Sequence, residues 1–245
     1  MILIIFRGQK DNIIHDNPKL PDKSEISIIS NKSPKSLSVN SLHIRYKQIM
    51  AVSLFGNIHL EGNKFRLTAN SILGKELDLG INNDELWYWS KRSKPRALYY
   101  SPVKNMDKTM LKAALNPSWL IRAIGLSIDQ NKNSKIIEKD STTKILNVEM
   151  NHLGQNQIIE TIIDSKTKKI LANNLYDSDG KIIVKATISQ HQMISDYVIP
   201  KKINIVWYEE GIQMEWTFNQ VKVDQSINSS IWKKPDIRPS INIGR

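Results

Sequence analysis

The feature that most limits what this chain can become is a two-residue alternation of apolar and polar side chains that begins near Ser38 and recurs far along the sequence. That period sends one set of side chains into a core and the other into water, as in antiparallel strands with one solvated face. Leu42, Ile44 and Tyr46 alternate with His43, Arg45 and Lys47, and Phe65, Leu67 and Ala69 alternate with Arg66, Thr68 and Asn70. Leu77, Leu79 and Ile81 keep the same period, as do Ile182, Val184, Ala186 and Ile188. Ile212, Met214, Trp216 and Phe218 follow it too, and the apolar phase then slips to Val221 and Val223, which predicts a bulge or turn near Asn219 and Gln220. Gly56, Gly62, Gly74 and Gly80 punctuate the early runs, and Asp177-Ser178-Asp179-Gly180 reads as a hairpin turn. The expectation is one mainly antiparallel β domain.

Two segments break the period. From Asn105 to Leu115, Met106, Met110, Leu111 and Ala114 fall at helical spacing, with Asn105 placed to cap and Asp107 near the positive helix end. The second is sharper: Asn116 can cap, Pro117 suits the first helical position, Trp119, Leu120, Ala123 and Ile124 form an apolar stripe, and Gly125 can end it. A pair of short helices between Asn105 and Gly125 therefore interrupts the strands.

Upstream, Met1 is followed by Ile2, Leu3, Ile4, Ile5 and Phe6, a run too short to span a bilayer, and it forms no complete signal peptide. Gln9 to Lys23, with Pro18 and Pro21, reads as an extended leader; Ser24 to Ser36 suits a short helix or a strand until Pro34. The expected division is a leader and short element over 1–37, the β domain over 38–235 and a tail over 236–245.

The chain carries 35 Lys and Arg against 24 Asp and Glu, a net charge of +11 that favours anionic partners or surfaces without choosing among them. The one basic cluster, Lys91, Arg92, Lys94 and Arg96 around Pro95, reads first as a solvated loop and second as a phosphate or anionic-lipid contact. The absence of cysteine excludes disulfides, thiolate metal sites and a cysteine nucleophile.

No reaction centre is legible. The five histidines, His15, His43, His59, His152 and His191, lack metal-ligand spacing, so no metal or other cofactor is expected. His59 and Glu61 share a strand face and could serve as base and orienter, but a solvated face is the stronger reading. Asp177 and Asp179 lack the further ligands of a calcium loop. There is no Gly-rich phosphate loop and no Gly-x-Ser-x-Gly elbow, so nucleotide binding and serine-hydrolase chemistry lack their usual signatures. The aromatics Trp87, Tyr88, Trp89, Tyr99, Tyr100, Trp119, Trp207 and Trp216 suit plain core, base stacking beside basic residues, or the wall of an apolar cavity between a curved sheet and the helices.

The order of these pieces resembles the LolA/LolB-like lipoprotein carriers. Gly62-Asn63-Lys64-Phe65-Arg66-Leu67, then Glu76-Leu77-Asp78-Leu79-Gly80, then Asn82 to Trp89 look like that family's "fRL" strand, intervening strand and "sndelWfW" strand. Pro117 to Gly125 occupies the place of a lid helix, and the ending is similar in Tyr176 and Gly180, Ile199-Pro200, and Ile231-Trp232 before Pro235. The resemblance implies an antiparallel, unclosed half-barrel whose concave face is covered by short helices. It implies a non-catalytic carrier or receptor that holds acyl chains of lipids or lipoproteins, in the periplasm or at the inner face of the outer membrane. Cavity candidates on the sheet are Phe65, Leu67, Leu79, Leu86, Tyr88, Trp207 and Trp216, with Trp119, Leu120 and Ile124 from the helix. Ile72 and Leu73 occupy a loop comparable to the membrane-probing loop of receptor-type members. Glu61-Gly62-Asn63 departs from the basic-Pro element common before the "fRL" strand.

A monomer is expected, with an anionic membrane surface as a further partner and nucleic acid not expected. Two other classes stay open: an envelope module that packs on a partner protein, and a basic β module that binds nucleic acid through the +11 charge.

Overall fold

The computed structural model describes residues 33–47, 51–108, 117–126, 134–138, 141–152 and 155–244. The first half is a run of strands: β1 (Ser36–Lys47), β2 (Ala51–Glu61), β3 (Lys64–Ser71), β4 (Gly74–Ile81), β5 (Glu85–Ser90) and β6 (Leu98–Pro102). A 3-10 turn over Val103–Lys108 and the helix α1 (Pro117–Ala123) come next. The second half is β7 (Ser134–Glu138), β8 (Thr143–His152), β9 (Gln155–Asp164), β10 (Ile170–Tyr176), β11 (Ile182–Ile194), β12 (Tyr197–Trp207) and β13 (Ile212–Val223). A second 3-10 turn, Ser229–Trp232, leads to β14 (Ser240–Asn242).

All fourteen described strands belong to one sheet, ordered β14-β6-β5-β4-β3-β2-β1-β13-β12-β11-β10-β9-β8-β7. Two meanders, β1–β6 and β7–β13, are thus joined where β1 pairs antiparallel with β13. Among the described strand pairs only β14 on β6 is parallel. The outer strands, β14 and β7, do not pair with each other, so the sheet stays open, as an unclosed half-barrel. Twelve inter-strand steps separate β6 from β7, about 60 Å along a flat sheet. The described parts of the link between them are the 3-10 turn Val103–Lys108 and α1 with its exit, and α1 packs against β4 and β10.

Curvature has a local cause. Relative to β2, β1 gains one residue between Val39 and Leu42, while Gln220 opposite adopts a left-handed φ of 48°. The apolar phase slips on both strands there, so their mutual register survives: Val39 faces Val221 and Leu42 faces Phe218. Further shifts between Ile188 and His191 continue the line of irregularities into β11. Bulges bend strands and increase twist, and a row of them curls a sheet. This is the slip expected near Asn219 and Gln220.

The concave face holds the main core. Leu37, Val39, Leu42, Ile44, Val184, Ala186, Ile203, Ile205, Trp216 and Phe218 are buried there beneath Trp119, Leu120, Ala123 and Ile124 of α1 and its exit. At 1.5–3 kcal/mol for each fully buried large side chain, roughly, this face supplies the dominant stabilisation. Pro117 opens α1 and Gly125 ends it with φ +71°; a Cβ there would lie 2.3 Å from Ile188 Cδ1. Asn173 Nδ2 donates to the Arg122 carbonyl at 2.8 Å, tying the helix end to β10. The expected first helix is, in its described part, the 3-10 turn Val103–Lys108; residues 109–116, including Met110, Leu111, Ala114 and the expected cap Asn116, lie outside the described residues, as do the leader and apolar run of 1–32.

A second, smaller core lies on the opposite face. Trp87, Trp89 and Leu98 are buried with Tyr100 and Ile237 packed against them. The chain after β13 reaches this face and is fastened to it. Arg66 forks onto Asp78, with Nε 3.1 Å from Oδ1 and a terminal nitrogen 2.8 Å from Oδ2, and its other terminal nitrogen donates to the carbonyls of Ile231 and Lys233 at 2.7 and 3.3 Å. Trp87 Nε1 donates to Asp78 Oδ1 at 3.0 Å. Residues 236–244 continue along the edge and include β14, and just before that strand the Leu98 amide donates to the Pro239 carbonyl at 2.9 Å.

Candidate functional site

On five strands of the run β5-β4-β3-β2-β1-β13, all but β3, the concave face passes from fully buried to half-buried at the same end of the molecule. On β1 Leu42 and Ile44 are buried and Tyr46 is not; on β2 Ile58 is buried while Leu54 and Val52 are not. Leu79 gives way to Leu77, Leu86 to Tyr88, and Trp216 to Met214 and Ile212. The apolar stripes run on past the part of the face that α1 covers. What they enclose is a cleft of about 260 Å³, walled by those half-buried side chains and open at one end. Its floor continues into the main core, since Leu54, Leu77, Tyr88, Ile212 and Met214 pack directly on it.

Charge is confined to one side of the mouth, where Glu76, Ser90 and Arg92 complete the lining. Glu76 Oε1 accepts from Ser71 Oγ at 2.8 Å and from Lys91 Nζ at 3.2 Å. Partial burial pushes this carboxyl up, but Ser71, Lys91 and Arg92 outweigh it and hold the group below the usual glutamate range. Arg92 rests over the Tyr46 ring, 5.7 Å from its centroid, with Nε 3.9 Å from Glu76 Oε2. The β3–β4 turn adjoins this rim: the Leu73 amide donates to Ser71 Oγ at 3.1 Å, and Lys91 Nζ lies 3.5 Å from the Leu73 carbonyl. Its tip carries the two most exposed large apolar side chains described, Ile72 at 95% and Leu73 at 79%.

Of the ten cavity residues expected from sequence, Tyr88 lines the cleft. The other nine, Phe65, Leu67, Leu79, Leu86, Trp119, Leu120, Ile124, Trp207 and Trp216, lie behind it in the main core. Trp119 meets Trp207 edge-on at 6.4 Å, joining helix to sheet. Tyr46, Val52, Leu54, Leu77, Ile212 and Met214 form most of the wall and were not singled out in sequence. All obey the two-residue period, but their place at an uncovered end depends on how the two meanders align.

Among the described residues no histidine lines the cleft. His59 is turned to Ser38 Oγ at 3.1 Å, and burial, aided by Arg66, lowers its proton affinity. His43 stacks on Phe55 at 5.1 Å, and His191 meets the Ile170 carbonyl at 3.1 Å; His15 lies outside the described residues. Asp177 closes the expected hairpin turn, its Oδ1 accepting from the amides of Asp179 and Lys181 at 3.0 and 2.8 Å. Among the described residues no group of three or more His, Asp or Glu could hold a metal, and no helix is long and apolar enough to cross a membrane.

No family model and no curated protein matches the chain. Solved structures do. A LolA superfamily protein of Nitrosomonas europaea aligns with a TM-score of 0.56 at 9% identity, over 86% of this chain and 97% of its own. A Vibrio parahaemolyticus domain assigned as an outer membrane lipoprotein-sorting protein gives 0.55 at 11%, over 85% and 93%. A DUF1329 family protein of Desulfovibrio piger gives 0.56 at 8%, over 86% and 93%. The chain has the open-sheet fold of the LolA superfamily, as the resemblance in its sequence implied. At such identities the likeness establishes the fold alone.

Proposed function

We propose that this protein is a non-catalytic, monomeric carrier or receptor of the cell envelope that holds an acyl chain of a lipid or lipoprotein in the concave cleft. One observation carries the reading: the apolar face is continuous from the core under α1 to a half-buried, open end, so a chain entering the cleft exchanges water for apolar surface along its length. Each methylene so buried contributes about 0.8 kcal/mol. The Nitrosomonas and Vibrio proteins, a LolA superfamily member and a lipoprotein-sorting domain, share the sheet and support a periplasmic or outer-membrane setting.

The nine buried candidates then become cavity wall when α1 lifts from the sheet. Two features of the core support such an opening. The indole nitrogens of Trp119 and Trp216 are buried without a partner, at a cost of about 1–3 kcal/mol each, so the closed packing under α1 is less stable than its apolar area alone would make it. The helix is also short, with seven residues, so its docking rests on a few side chains. Ile72 and Leu73, exposed beside the mouth, are placed to touch a membrane while cargo passes. Nucleic-acid binding fits less well, because Lys91 is paired with Glu76 at 3.2 Å and Arg96 covers Trp89 at 5.4 Å.

A fluorescent fatty-acyl probe tests the reading. Saturable binding by the wild type is expected. Met214→Glu, at a half-buried wall position, should weaken it about tenfold or more while far-UV circular dichroism is unchanged. A wild-type protein with no saturable binding would sink the proposal.

A further inference from the structure

We infer that the occupant of the cleft is a single-chain amphiphile with an anionic headgroup, and that Arg92 holds the head at the rim; this rests on the acyl-binding reading above and deepens it. The wall is apolar on β1, β2, β4, β5 and β13, and its ionised lining groups, Glu76 and Arg92, sit together on one side. A ligand that fills the wall and also satisfies that side must be apolar along its length and charged at one end.

The rim selects the sign. Glu76 is occupied, its Oε1 serving both Ser71 and Lys91. Arg92 is not: its nearest ion-pair distance to Glu76 is 3.9 Å, longer than a hydrogen bond, and its side chain is 62% exposed. Lys91 and Arg92 against Glu76 leave one positive charge in excess (two cations, one carboxylate). A guanidinium with five donors and one loose partner is suited to a carboxylate or phosphate, which accept two parallel hydrogen bonds from it. Tyr46, which lines the cleft and carries the Arg92 fork on its ring, sets that fork at the mouth.

Size limits the apolar part. About 260 Å³ lies just under the roughly 300–1,000 Å³ of pockets that take drug-sized ligands, which suits one chain rather than several. A free fatty acid and a lysophospholipid share this chemistry of one chain and one anion.

The test displaces the acyl probe from the intact chain with dodecanoate, dodecyl phosphate, dodecanol and dodecylammonium, each below its micelle-forming concentration, for wild type, Arg92→Gln and Arg92→Lys. For the wild type, at least one anion should compete about fivefold better than the alcohol, the modest gain of a solvent-exposed ion pair, and the cation should compete no better than the alcohol. High salt should shrink the preference. Arg92→Gln should remove it, so that for this variant the anions compete no better than dodecanol; Arg92→Lys should keep part of it. Preference for both anions points to a fatty-acid source, and preference for the phosphate alone to a phospholipid source. If dodecanol competes as well as both anions, or the preference persists in Arg92→Gln, Arg92 does not select the headgroup although the cleft still binds chains. If no chain competes, the acyl-binding reading falls and this inference with it.

Discussion

Asp78 is a fully buried carboxylate, and it persists because three side chains meet it: the Arg66 fork, the Trp87 indole and Lys75, whose Nζ lies 2.9 Å from Oδ2. Burial pushes the group up, yet those partners prevail and hold it below the ordinary aspartate range. A depressed folded-state value contributes stability that is present above the unfolded pKa of about 3.9 and is lost as pH falls through the folded value. Acid unfolding should therefore steepen below about pH 4. Asp78→Asn should cost about 3 kcal/mol near neutral pH and flatten that acid limb, as read from urea midpoints at several pH values. Gly125 is the second position where one residue decides. With φ +71° and Ile188 Cδ1 2.3 Å from an added Cβ, Gly125→Ala should lose about 2 kcal/mol or more in denaturant unfolding. An unchanged midpoint would mean that α1 leaves β11 without resistance.

Among the elements, the segment after β13 behaves as part of the sheet's outer layer. Trp232 is 7% exposed, Lys64 lies 5.7 Å from its ring centroid, and its carbonyl accepts from Asn82 Nδ2 at 3.0 Å. Trp232→Ala should cost roughly 3 kcal/mol and speed hydrogen exchange in β3 to β6 while sparing β9 to β12, a pattern that exchange mass spectrometry resolves. The reach of this segment was hidden in the sequence, because Arg66 and Ile231 meet across 165 residues. A local sign existed in β5, where Leu86-Trp87-Tyr88-Trp89 is apolar on both faces, as a strand covered on both sides would be. The runs in β1, β3, β4, β11 and β13 and the helix α1 were legible for a simple reason: the period of two, and a proline and glycine bracketing an apolar stripe, are local signals. The run through Val52 and Leu54 was blurred by Phe55, which is apolar yet 57% exposed and stacked on His43.

At the scale of the whole molecule, the cleft lies where the apolar face of the sheet runs on beyond α1. The sheet offers apolar stripes on β1, β2, β4, β5 and β13, and α1 lies over β4 and β10. Sequence gave the apolar identity of Tyr46, Leu77, Ile212 and Met214 but not their convergence, which needs the non-local pairing of β1 with β13. It also placed Ile72 and Leu73 in a loop, and the structure sets that loop beside the mouth. The carrier reading makes both consequences of one arrangement, an apolar trough that opens next to an apolar tip. Methyl-resolved NMR titration of the intact protein with dodecanoate, below its micelle-forming concentration, tests this most directly. Saturable shifts should appear first at Leu54, Leu77, Ile212 and Met214, spread to Ile124 as α1 moves, and leave Ile237 on the opposite face unmoved. Shifts confined to Ile237 and its neighbours, or none that saturate, would contradict the account.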